Sequence, residues 1–155
     1  MSDRGSLLST TLTGLIALSL LSCQDGGLDP REVTAAETLW KTNGLSSYRL
    51  SLEVSNGLTR QIEVTMENGS FRNGVLLERA LDGEGWEPPR PLDEMQARPY
   101  TVPGLFQTLR EELSAGQRTV AARFNQNRGY VERMQLGEIA GSAPMVVTVL
   151  SLEPL

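Results

Sequence analysis

The chain has no histidine and a single cysteine, Cys23, among its 155 residues. Without histidine there is no imidazole to serve as a general base near neutral pH, no Ser-His-Asp or Cys-His pair, and no His-liganded zinc. One cysteine rules out an internal disulfide, so the fold must stand on packing alone. Lysine is almost missing too: Lys41 stands beside thirteen arginines, a bias that reads as arginine-favouring codon usage. Aromatic residues make up only 5%, which predicts a modest aliphatic core and no large aromatic-lined cavity. Basic residues are outnumbered 14 to 19, for a net charge of −5. Such a chain lacks the cationic footprint that nucleic-acid binding draws on through counterion release, so no nucleic-acid partner is expected. Anionic lipid headgroups would not attract it either.

What is present begins with an apolar run. Residues 7–22 read LLSTTLTGLIALSLLS, too short and too rich in Ser and Thr to span a bilayer, which takes roughly 20 mostly apolar residues. With Arg4 ahead of it, the run has the form of a signal-peptide h-region. An ordinary signal peptidase favours a small residue at −3, where this chain has Leu20. Leu20-Leu21-Ser22-Cys23 instead resembles the lipobox of bacterial lipoproteins. That resemblance implies removal of residues 1–22 and a thioether-linked diacylglyceryl group on Cys23, which becomes the new N-terminus. Gln24 follows, in place of the aspartate that marks inner-membrane retention, so in a Gram-negative host the expected location is the periplasmic face of the outer membrane. Two or three buried acyl chains, at about 0.8 kcal/mol per CH₂, hold a protein stably on a membrane. The expected organisation is a signal peptide over 1–22, a lipidated tether over 23–28 and one domain over 29–155, large enough for a core without staples.

Along that domain, Asp29-Pro30-Arg31-Glu32 has the form of a helix start in a capping-box arrangement. Val33, Ala36, Leu39 and Trp40 share one face, and Asn43-Gly44 ends the helix. Trp40 is read as a core anchor. Tyr48, Leu50, Leu52 and Val54 alternate with polar residues up to Asn56-Gly57, and a return strand carries Ile62, Val64 and Met66. Asn68-Gly69 turns into a weaker strand from Phe71 to Glu78, interrupted at Asn73-Gly74. Residues 82–100, with four prolines, read as a long loop. Thr101-Val102-Pro103-Gly104 opens a second helix that closes at Ser114-Ala115-Gly116. Val120 to Phe124 and Tyr130 to Leu136 form a second hairpin, and Met145 to Leu150 is continuous enough to be an interior strand. The predicted fold is α+β, an antiparallel sheet with two helices packed on one face, in the order α-β-β-(β)-α-β-β-β.

This pattern resembles uncharacterised bacterial secreted proteins and lipoproteins grouped as domain-of-unknown-function family 6174. The marks of that family are a Trp late in the first helix, a Ser-Tyr-Arg-like strand start, a helix opening with Thr-Val and Leu-Phe, and a Tyr-Asp…Gly-Tyr-Pro hairpin. The chain offers Trp40, Ser47-Tyr48-Arg49, Thr101-Val102 with Leu105-Phe106, and Phe124-Asn125 with Gly129-Tyr130. It departs at Phe124-Asn125 and at Val131, and the likeness spans residues 33–152. The resemblance implies fold and location; it brings no activity and no functional residues.

Candidate sites fall in the 82–100 stretch. Asp82, Glu84, Glu87, Asp93 and Glu94 could supply the paired carboxylates of a glycoside hydrolase if held rigidly about 5–9 Å apart. Arg79, Arg90 and Arg98 are interleaved with them, which favours a solvated, mutually neutralising loop. Asp82 to Glu87 lacks the ligand spacing of a calcium loop, and Gly83 and Gly85 lack the strand-glycine-helix context of a phosphate site. No metal or cofactor is expected. Trp86, Arg90, Arg98 and Tyr100 have the aromatic-plus-arginine composition of interface hot spots and form the expected binding surface. The functional expectation is a membrane-anchored, non-catalytic envelope lipoprotein whose domain binds an envelope protein or cell-wall component. A carboxylate-dependent hydrolase and a structural or lipid-handling role are the alternatives.

Overall fold

The computed structural model describes residues 27–79, 84–139 and 143–155. Cys23, the segment before Gly27 and Asp82 therefore lie outside the described residues.

Asp29 starts helix α1 (Pro30–Asn43): its carboxylate accepts from the Arg31 amide at 2.8 Å, and Pro30 takes the position where a missing N–H is harmless. The cap bond goes to Arg31, not to Glu32 as a capping box would have it. Three antiparallel strands follow: β1 (Tyr48–Ser55), β2 (Thr59–Glu67) and β3 (Ser70–Glu78). Asn68 (φ 51°) and Gly69 (φ 77°) both adopt positive φ, which a tight two-residue hairpin requires. Next come β4 (Arg90–Leu92), α2 (Glu94–Ala97), a 3-10 turn (Arg98–Tyr100) and α3 (Val102–Ala115). The chain ends in a second meander of β5 (Val120–Phe124), β6 (Val131–Leu136) and β7 (Met145–Pro154). All seven strands form one antiparallel sheet ordered β4-β3-β2-β1-β7-β6-β5.

The two-residue period sorts the side chains onto two faces. Tyr48, Leu50, Leu52 and Val54 are all but fully buried, and their neighbours across the ladder include Met66, Val64 and Ile62 on one side and Leu152, Val149 and Val147 on the other. This face carries the core, closed from above by Val33 and Trp40 of α1 and by Leu105, Phe106 and Leu109 of α3. Burying each such side chain contributes about 1.5–3 kcal/mol. The α+β class and the antiparallel sheet are as the sequence predicts, and β7 lies inside the sheet beside β1.

Two expectations are corrected. Residues 82–100 are not one long loop, because their second half forms β4, α2 and the 3-10 turn. Asp93 and Gln96 close a reciprocal capping box at 2.8 and 3.2 Å, which fixes a helix of only four residues. Pro91 is tolerated because β4 is an edge strand. Nor does Asn73-Gly74 interrupt β3, which runs through it with Arg72 as the extra residue of a bulge. Gly74 serves proximity here: a Cβ on it would lie 3.2 Å from Leu92 Cβ and 3.4 Å from Ala97 Cβ.

The antiparallel order gives the sheet two distinct ends. At one end lie the turn after β1, the connection from β3 to β4, the start of β5 and the connection from β6 to β7. The Leu28 amide donates to the Val120 carbonyl there at 2.9 Å. At the other end lie the Tyr48 start of β1, the Asn68-Gly69 turn and the 125–130 hairpin turn.

Candidate functional site

The sequence marks quoted above meet at the Tyr48 end. Trp40 stands edge-on to Tyr48 at 5.7 Å between ring centroids and edge-on to Tyr130 at 6.4 Å. The Tyr48 hydroxyl oxygen accepts from the Val102 amide at 3.4 Å, tying β1 to the first turn of α3. Burial pushes the Tyr48 phenol up to about 12, against the opposing effect of that bond. Phe106 and Phe124 stack at 6.1 Å. Gly129 has φ +80°, and a Cβ on it would sit 2.2 Å from the Ala36 carbonyl oxygen and 2.9 Å from Leu39 Cβ. These marks hold helices to sheet. They explain the fold.

The residues expected to form one binding surface are distributed. Arg90 and Tyr100 share a cleft of about 320 Å³ floored by Ile62 and Leu76. Within it the Glu78 carboxylate accepts from Arg60 Nε at 2.8 Å and from Arg90 at 3.2 Å. Arg98 lines different grooves, beside the N-terminus of α3. Trp86 is bridged to Arg79 where β3 ends, and 42% of its surface is exposed. Among the carboxylates, Asp93 is occupied as the cap of α2 and Glu94 sits in the first turn of that helix. Glu84 and Glu87 lie on the connection to β4. Among the described residues no three acidic, Cys or His side chains are grouped to hold a metal ion.

A groove that the sequence did not announce runs between α1 and the outer edge of β5. Its volume is about 450 Å³, with Glu32, Ala35, Ala36 and Leu39 on the helix side and Ala122, Phe124, Asn125 and Gly129 on the hairpin side. Backbone polarity matters most here. In an antiparallel ladder alternate residues aim both N–H and C=O to the same side. Thr119 and Asn125 bond inward to the β6 side, so Val120, Ala122 and Phe124 aim outward. The Val120 carbonyl is taken by Leu28. The Ala122 and Phe124 main chains have no partner among the described residues.

The hairpin that walls the groove is braced. Asn125 Oδ1 accepts from the amides of Asn127 and Arg128 at 3.1 and 3.0 Å, and its Nδ2 reaches Glu132 at 3.0 Å. Glu132 is the extra residue of a bulge in β6 and accepts from Arg123 at 3.0 Å. Asn43 on α1 donates to the Asn127 carbonyl at 3.3 Å, closing the groove at its far end. The site is a pre-set slot with mixed walls, small apolar residues beside Glu32, Arg123 and Asn125, and an open strand edge. Phe124, Asn125 and Gly129 are among the marks quoted above, but the slot as a whole was not legible, because its walls come from segments far apart in the chain.

No curated protein matches the chain. Its residues 32–144, which include every one of the marks at the Tyr48 end, match the model of the Family of unknown function (DUF6174), and the chain belongs to that family.

Proposed function

We propose that this protein is a bacterial envelope lipoprotein, anchored through lipid on Cys23, whose domain is a non-catalytic binding module for an extended peptide segment of an envelope partner. One observation carries the binding reading: an edge strand with outward Ala122 and Phe124 main chains, flanked at groove width by a helix. A peptide entering there adds as an eighth strand. Main-chain bonds supply affinity, and side chains facing Ala35, Ala36 and Leu39 supply selectivity. The anchor reading is supported by the Leu20-Leu21-Ser22-Cys23 motif. Among the described residues no helix is long and apolar enough to cross a membrane. Of the sequence-expected surface, Arg90 and Tyr100 keep a cleft of their own, whose carboxylate is already paired with two arginines.

The test is made in the native host with the full chain. A photo-crosslinking residue at Leu39, together with a fatty-acid probe, reads partner and lipid in one experiment. The expected result is a labelled Cys23 and crosslinks to one segment of a defined envelope protein. Ala122→Pro should sharply reduce that crosslink without unfolding the domain, because an outward N–H on an edge strand is expendable to the fold. A crosslink indifferent to Ala122→Pro rejects strand addition. An unlabelled wild-type chain rejects the lipoprotein reading.

A further inference from the structure

Six large apolar side chains are exposed among the described residues, and three of them share one end of the sheet: Leu58 at 43%, Trp86 at 42% and Ile139 at 37%. Leu58 lies in the turn from β1 to β2, Trp86 beside the end of β3, and Ile139 on the connection from β6 to β7. The antiparallel order sets these three segments side by side, and a Cβ on Gly57 would lie 3.9 Å from Ala143 Cβ, so two of the loops touch. Leu28 enters at this same end, bonded to Val120. Neighbouring strands are about 4.8 Å apart, so the row from Trp86, on the β4 side of β3, to Leu28, outside β5, crosses roughly 34 Å.

The chain before Leu28 is short. From Cys23 to Leu28 the chain reaches at most about 18 Å. The nine residues of β2 put the opposite end of the sheet about 30 Å away. A lipid on Cys23 holds the chain from the Leu28 end, and the three exposed apolar side chains choose that end over the 125–130 turn, which lies about 17 Å away along the five residues of β5.

We propose that this end is seated on the membrane, with Leu58, Trp86 and Ile139 in the headgroup region and the sheet standing upright above it. The proposal rests on the lipoprotein reading. Trp at the interface and apolar side chains entering the acyl boundary are the expected chemistry of such a contact. Arg60 and Arg90 at this end are paired with Glu78 and Arg118 with Glu112, and on the connections themselves Glu84, Glu87 and Glu138 outnumber Arg79, so the surface that fits is zwitterionic rather than anionic. The anchor supplies the hold; the three side chains fix the orientation. The α1–β5 groove, which follows β5 from Ala122 to Phe124, then stands along the membrane normal.

The test uses the protein extracted from its host envelope, with intact mass first reporting acyl chains on Cys23. It is reconstituted in phosphatidylethanolamine–phosphatidylcholine vesicles containing lipids brominated at shallow or deep acyl positions. Trp40 is buried, so the emission lost on Trp86→Phe isolates Trp86. The expected result is a blue-shifted Trp86 signal that shallow bromines quench strongly and deep ones weakly. Leu58→Ser with Ile139→Ser should weaken that quenching while the protein stays on the vesicles. Vesicle-bound, acylated protein whose Trp86 is unquenched overturns the seating and leaves the anchor standing. Trp86 shielded by a second copy or by a co-purified protein overturns it as well. A mass without acyl chains overturns both readings.

Discussion

The two ends of the sheet are built by different rules. At the Tyr48 end, Trp40, Tyr48 and Tyr130 lock α1 to β1 and the β5–β6 turn, and Gly129 lets the turn press against the helix backbone. At the Leu28 end the loops carry exposed Leu58, Trp86 and Ile139, and their glycines divide: nothing lies within 4 Å of a Cβ placed on Gly116 or Gly85, whereas one on Gly137 would lie 2.3 Å from Thr119 Oγ1. Every family mark in the sequence falls on the first kind of end. A family recognised by such marks is recognised by how it folds. The exposed loops at the Leu28 end carry none of those marks, while Phe124, Asn125 and Gly129 belong both to them and to the α1–β5 groove.

The sharpest way to break this comparison is to add one methyl group at each end. Gly129→Ala meets positive φ together with backbone at 2.2 Å, and should cost about 3–5 kcal/mol, combining the left-handed penalty with overpacking. The melting temperature should fall by at least ~10 °C. Gly116→Ala has φ +61° with open space around it, and should cost only ~1–2 kcal/mol. Equal melting temperatures for the two variants would remove the asymmetry.

A gentler pair sharpens it. Tyr48→Phe keeps the ring against Trp40 and deletes the acceptor for the Val102 amide, leaving that donor buried without a partner. The expected loss is about 1–2 kcal/mol in denaturant midpoint, at the low end because the bond is long. Trp86→Ala, at the other end, should change stability by no more than ~0.5 kcal/mol, as for a surface residue. If Trp86→Ala matched a core truncation, at about 3–5 kcal/mol, Trp86 would be a packing residue and neither its exposure nor its seating would stand.

Much of the fold was legible because its signals are local. Asp29-Pro30 starts α1, Asn68-Gly69 makes a hairpin, and the alternation from Tyr48 to Val54 names the buried face. The 84–100 segment was misread because its elements are too short to show a period. The Asp93–Gln96 capping signal was present, yet no apolar repeat followed to draw attention to it. Asn73-Gly74 was misread because the same dipeptide serves a turn or a close approach, and only the positions of Leu92 and Ala97 decide which. The groove was illegible in principle. Ala35 and Ala122 are ordinary small residues until tertiary packing sets a helix beside a strand edge.

The smallest expected effect concerns how α3 is finished at the Leu28 end. There the helix is closed by an ion pair between Arg118 and Glu112, with Arg118 Nε 2.7 Å from the carboxylate, whereas its other end is tied to β1 through Tyr48. The Arg118 hydrogen bonds hold the Glu112 carboxyl below its ordinary value, against a weaker opposing push from burial. A carboxyl lowered in the folded state favours folding above its unfolded value of about 4.3, and loses that contribution as pH falls through the folded value. Glu112→Gln removes the titration while keeping a polar side chain. Wild-type protein should therefore be the more stable of the two at pH 7, by less than ~1 kcal/mol because the pair is partly solvated. The gap should close in the acid range below pH 4.3. Urea midpoints at pH 7, 5 and 3 measure it. A gap that persisted undiminished at pH 3 would mean that Glu112 acts through packing, and that the Leu28 end is as firmly built as the other.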